Sequence, residues 1–183
     1  MAEQTFTSGQ ILTAAQMTTL QTNSGLCFVS STTIGSAQTS VTVSNAFSTT
    51  YDNYLILISG GVASADIGLN LTLGATTTGY YSSGFNQSLT SSTINAANSN
   101  NQPAWTSVAY GSTNALSGQI YLDNPFNAKR TMVSYQARGT STTYFVNQQH
   151  GMLDNATSYT AFTLAVSSGT VTGGTISVYG YRK

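Results

Sequence analysis

A chain of 183 residues is long enough for one domain with a sizeable core, and its 40% hydrophobic and 10% aromatic content argues against disorder. Five Lys+Arg balance five Asp+Glu, and charged residues make up only 5% of the chain, so there is no basic field to hold nucleic acid or an anionic membrane. The polar surface must come from Ser, Thr, Asn, Gln and Gly, which do little to keep copies apart in solution and suit a permanent assembly.

The opening MAEQTFTSGQ has no basic n-region and no long apolar stretch, so no signal peptide is expected, and no segment approaches the ~20 apolar residues of a membrane span. Residues 5–23, TFTSGQILTAAQMTTLQTN, form the one helical pattern. Thr13 and Gln16 are spaced as a capping box, with Leu12 and Met17 at the hydrophobic-staple positions. Met17 and Leu20 share a face, and Asn23–Gly25 supply a stop. A helix of about ten residues does not persist alone in water. It has to dock, either on its own domain or on another molecule. The expected organisation is an arm over 1–25 and a body over 26–183.

From residue 26 the pattern has period two. Strands are expected at 26–30, 40–44, 53–59, 67–74, 105–110, 118–125, 131–136, 143–149, 159–166 and 175–182, with Gly, Asn and Ser turns between them. About ten short strands at this spacing predict an all-β fold, an antiparallel β-sandwich of jelly-roll type. NYLILIS at 53–59 is apolar throughout, as in a central strand covered on both sides. Leu55, Leu57, Leu69, Leu71, Phe162 and Val178 are the expected core. Residues 88–103, SLTSSTINAANSNNQP, break the rhythm and read as a long polar loop, either functional or a plain surface excursion. Cys27, the one cysteine, reads as a small core residue within GLCFVS.

Catalytic and metal chemistry is sparse. His150 is the single histidine, which excludes a multi-histidine metal site in one chain, and HGMLDNATS reads as a turn that separates it from Asp154. There is no G-x-S-x-G elbow, no P-loop, no G-x-G-x-x-G and no paired cysteines. Asp52 and Asp123 precede asparagines, as turn residues do. No catalytic residue, cofactor or metal is expected. The aromatic residues carry more information. Tyr80, Tyr81, Phe85 and Trp105 flank the long polar stretch, and Tyr179 and Tyr181 lie near the C-terminus. They serve either as core packing or as an exposed interaction surface, because tyrosine joins an apolar body to a hydrogen-bonding end.

FTSGQILTAAQMTTLQTN resembles the N-terminal segment of fibre and other surface proteins of tailed bacteriophages, where F-x-x-G-x-[IV]-L-T-A-A-x-[ML]-N precedes a β-rich body. Thr18 stands here where Asn is common. VTVSNAFSTTYDNYLILISG at 41–60 and GGTISVYGYRK at 173–183 are similar to recurring phrases of the same proteins. The resemblance implies a non-enzymatic virion-surface protein whose arm (Leu12, Thr13, Gln16, Met17 and Leu20) docks on a neighbouring subunit, either the major capsid protein or a tail or collar protein. It also implies a homotrimeric body. A trimeric capsid-decorating (cement) protein is the favoured reading. The alternatives are a short tail fibre with a receptor-binding knob and, in third place, a lectin-like module whose partner is a host surface glycan.

Overall fold

The computed structural model describes residues 6–22, 25–91, 93–140 and 144–182. One helix, α1 (Ala14–Thr22), precedes β1 (Leu26–Thr33), β2 (Ser40–Val43), β3 (Asn53–Ser59), β4 (Val62–Ala63), β5 (Ile67–Leu73), β6 (Tyr80–Ser88) and β7 (Ile94–Gln102). Then follow β8 (Trp105–Gly111), β9 (Leu116–Asp123), β10 (Thr131–Thr140), β11 (Tyr144–Leu153), β12 (Phe162–Val166), β13 (Val171–Thr172) and β14 (Thr175–Tyr181).

The larger layer has the order β1-β14-β3-β9-β10-β11-β6-β7, and the smaller one β2-β12-β5-β8; all of these pairs are antiparallel. The layers join at one corner, where the start of β9 pairs with the end of β8 through Tyr110–Ser117 and Gly111–Leu116. β4 and β13 form a separate small ladder. The expected all-β sandwich is the observed fold.

Strand alternation builds the core. Tyr54, Ile56 and Ile58 of β3, Ile120 and Leu122 of β9, and Ile176 and Val178 of β14 turn inward. They share one cluster with Leu69, Leu71 and Leu73 of β5 and with Phe162 and Leu164 of β12. Leu69, Leu71, Phe162 and Val178 are therefore core residues as expected. Leu55 and Leu57 are not part of that cluster. They take the opposite parity on β3: Leu55 is buried as expected, 7% exposed, but beneath its outer-face neighbours rather than between the layers, and Leu57 is only half-buried. An apolar run offers two apolar faces, and only packing decides which one meets the other layer. Leu71→Ala should cost about 2–5 kcal/mol, whereas Leu57→Ala in the isolated body should cost clearly less. Urea unfolding followed by far-UV circular dichroism checks the ranking.

Three further expectations change. The polar stretch 88–103 is not a long loop: β7 occupies most of it and pairs with β6 from Tyr80–Gln102 to Gln87–Ile94. Its sequence, INAANSNNQ, has no apolar alternation, so the ladder to β6 is what makes it a strand. His150 lies within β11 rather than in a turn, and the strand runs on to Leu153. Cys27 is half-buried rather than in the core; it lies beside Tyr51, whose phenol is raised from its ordinary value by burial first and then by hydrogen bonding with Cys27. That ring covers Gly180, where any Cβ would overlap it.

Candidate functional site

The arm begins with the expected cap. Gln16 N–H donates to Thr13 Oγ1 (3.2 Å), Thr13 N–H donates to Gln16 Oε1 (3.0 Å), and Met17 N–H donates to the Thr13 carbonyl (3.0 Å). Both directions of the capping box are made. Asn23, expected at the helix stop, lies outside the described residues. Gly25 takes φ +73°, and its carbonyl accepts the Arg182 N–H (2.9 Å), so the chain enters the body beside its own last strand.

The apolar side chains of the arm have not found a core. Ile11 is 88% exposed and Met17 52%, and Phe6, Leu12 and Leu20 are exposed as well. A short helix with an uncovered apolar set is marginal by itself. What it can do chemically is bind a hydrophobic groove on another surface.

The four aromatic residues singled out near the polar stretch separate into two pairs. Tyr80 and Trp105 are fully buried and pack edge to face at 4.9 Å. The Tyr80 hydroxyl accepts the Leu73 N–H (2.8 Å) and donates to the Thr76 carbonyl (3.1 Å), while Trp105 Nε1–H donates to the Tyr81 carbonyl (3.2 Å). They tie β6 to the smaller layer and are not an interaction surface: the parity that turns Tyr81 outward turns Tyr80 inward, and Trp105 opens β8 from the core side. Tyr81 and Phe85 are half-buried and lie on the outer face of the larger layer.

Cross-strand register assembles that face from distant parts of the chain. One row runs from Phe28 on β1 through Tyr179, Leu55, Tyr121, Ser134, His150 and Ser83 to Asn98 on β7. The row beside it carries Leu26, Tyr181, Asn53, Asp123, Met132, Met152 and Tyr81. On the other side run Ser177, Leu57, Gln119, Gln136, Gln148, Phe85 and Ala96. Phe28, 61% exposed, meets Tyr179 edge to face at 5.7 Å, and Tyr121 stacks on Tyr181 at 6.4 Å. Tyr81, Met132, His150 and Met152 border an open depression of about 620 Å³, and Asp123 also lines it. Partial burial there pushes the Asp123 carboxyl up from its ordinary value.

The outer face of the smaller layer is a built-in contrast. Register places Thr42, Thr163 and Thr72 in one row and Ser40, Ala165 and Asn70 in another, with Thr42 Oγ1 and Thr163 Oγ1 hydrogen-bonded at 2.9 Å. These are small, hydrated side chains. The larger layer presents tyrosine, methionine and leucine at the equivalent outward positions.

Phe28, Leu55, Leu57, Tyr121, Met132 and Met152 were not among the expected surface residues. The usable signal was large side chains at outward positions, as in Tyr179 and Tyr181 alternating with Val178 and Gly180. His150 has Ser134 and Ser83 as lateral neighbours, but Asp123 is on β9, two strands from β11, and Asp154 is paired instead with Arg130 (2.6 Å). No relay joins them. Among the described residues no group of three or more His, Cys, Asp or Glu side chains could hold a metal, and no helix is long and apolar enough to cross a membrane.

Between the layers lies a smaller cleft of about 230 Å³, lined by Asn86, Asn98, Thr106, Ser107, Asn147 and Gln149 among others. Its buried amides bond to one another and to the backbone. Ser82 Oγ–H donates to Gln149 Oε1 (2.9 Å), Gln149 Nε2–H to Asn147 Oδ1 (2.9 Å), and Asn147 Nδ2–H to the Ser107 carbonyl (2.9 Å). This network holds β8 to β11, and no aromatic ring lines the cleft to stack on a sugar. No family model, curated protein or solved structure matches this chain.

Proposed function

We propose that the chain is a non-enzymatic structural protein of a bacteriophage particle: a trimeric capsid-decorating protein whose arm docks on the major capsid protein and whose β body sits on the outside of the head. The observation that carries the reading is the arm. A capped helix that exposes Met17 and Leu20, preceded by exposed Ile11 and Leu12, has its apolar set ready for a neighbour rather than for its own core. The resemblance of its sequence to phage arm segments names the kind of neighbour. Three arms on one rigid body bind at high effective concentration, so each contact can be weak.

Deleting residues 1–23 should leave a folded β body, with unchanged near-UV circular dichroism, that no longer joins particles in a reconstitution assay. Unfolding of the truncated protein, or its normal incorporation, would overturn the attachment role. Heating particles with and without the protein separates the head from the tail. Decoration predicts many copies over the head and capsids that rupture at lower temperature without it. Unchanged capsid stability with lost adsorption to cells would assign the chain to a receptor-binding fibre held by a tail or collar protein.

A further inference from the structure

The outer face of the larger layer is the least satisfied surface of the body. Its eight strands, at about 4.8 Å spacing and with roughly 23 Å of paired length, span on the order of 800 Å². A standard interface takes about 800 Å² from each partner; in a ring this face serves two contacts, about 400 Å² a side each, so assembly depends on the contacts closing together. The row through Phe28, Leu55 and Tyr121 and the row through Leu57 and Phe85 carry no carboxylate, lysine or arginine. A charged partner would find little to pair with in those two rows. A second copy would desolvate few ions: the charges bordering them are Asp123, which lines the depression, and Arg138, which follows Gln136 on the same side of β10.

The two ends of the face differ. At the β1 end Phe28 projects as an exposed aromatic knob; near the other end, across β10, β11 and β6, lies the depression bordered by Tyr81, Met132, His150 and Met152. The edge strands β1 and β7 bear no charge and no proline, the usual devices that stop an edge from meeting another chain. A knob and a hollow at opposite ends of one surface make a heterologous contact, which closes into a ring where the rotation between copies divides the circle and otherwise runs on as a filament. Three such faces turned toward a common axis bring the β1 end of each copy against the β6–β7 end of the next.

We infer that the copies join through this face, with Phe28 of one copy seated in the Tyr81–Met132–His150–Met152 depression of its neighbour and Tyr121 near the axis. The inference rests on the trimer reading above and names the surface that the trimer uses. The Thr-rich outer face of the smaller layer is then left to solvent.

The test is native mass spectrometry of the full chain and of three variants, each checked by circular dichroism for native folding. Wild type should run as a trimer. Phe28→Glu and, separately, Met132→Glu should lose the trimer peak at concentrations where wild type is fully assembled. Thr163→Glu, on the other layer, should keep it. Both knob and hollow variants are exposed substitutions, so misfolding of one leaves the other to decide. A wild-type trimer that survives both changes overturns the assigned face and leaves the trimer standing. A wild-type dimer lost in both variants supports the face and rejects the threefold state. A wild-type monomer at every concentration overturns both.

Discussion

Replacing Trp105 with alanine should destabilise the body by about 3–5 kcal/mol, the range for deleting a large aromatic side chain from a packed core. Trp105 has no solvent exposure, packs edge to face on Tyr80, and spends its one N–H on the Tyr81 carbonyl. Truncation opens a cavity between the layers and removes the donor that this carbonyl accepts from. Domains of this size hold about 5–15 kcal/mol in total, so the variant should lose a large share of the stability of the body. Urea unfolding by far-UV circular dichroism should show the midpoint moved far down with the slope preserved. Trp105→Phe, which keeps most of the volume and loses only the N–H donor, should recover the greater part. If the alanine variant unfolds within about 1 kcal/mol of wild type, the aromatic pair does not hold the layers together.

The second large effect is on the alkaline side. Burial pushes the phenols of Tyr80 and Tyr135 up to about 12, against partly opposing hydrogen bonds from the Leu73 N–H and with Ser82 respectively. In the unfolded chain both titrate near 10. Below pH 10 both phenols are neutral in either state, and their contribution to stability is fully present. As pH rises from about 10 to 12 the unfolded chain releases these protons first, so stability falls by about 1.4 kcal/mol per pH unit for each phenol. Together they should remove on the order of 5 kcal/mol by pH 12. Thermal melts from pH 9 to 12 should therefore show a steep fall in Tm beginning near pH 10. Ionisation of these two phenols, followed by absorbance at 295 nm, should coincide with unfolding. Tyr135→Phe should make the fall shallower, whatever it costs at neutral pH through the lost bond to the Thr106 carbonyl. A Tm that is flat up to pH 12 would contradict the burial of both groups.

The aromatic face, which carries little charge beyond Asp123, gives the low charge content of the chain a structural meaning. A monomer with hydrated surfaces on both layers would resemble the threonine rows of β2, β12 and β5 on each side. Instead one layer carries small, mostly polar side chains and the other large apolar and aromatic ones, as the proposed contact requires. The arm leaves the body at Gly25, beside the C-terminal strand, so it starts at the β1–β14 edge that also carries Phe28. In the proposed trimer, each attachment point would stand next to a copy–copy boundary.

Local information was enough to specify the helix and most of the strands. The capping box at Thr13 and Gln16 depends on residues three apart, and its hydrogen bonds form as the spacing demands. The strand 53–59 and the alternating 67–73 were legible because period two is itself the geometry of a strand. The short helix and the absence of βαβ alternation were equally plain, since both follow from patterns a few residues long. The side of each strand that meets the core was legible only where one face was polar, as in β5. In β3 both faces are apolar, so Leu55 and Leu57 could be placed only by the packing of β5 and β12 against Tyr54, Ile56 and Ile58. β7 exists because β6 offers it a ladder, which residue preferences in Asn, Ala and Ser do not encode. Tyr80 and Trp105, readable from the sequence either as core packing or as an exposed surface, proved to be core for the same reason: burial is a property of the neighbours, here Leu73, Thr76 and the whole smaller layer. The contact face required the most tertiary information. Phe28, Leu55, Tyr121, His150 and Tyr179 meet in one row only because five strands from across the chain pair in a particular register, and register is decided by the fold as a whole.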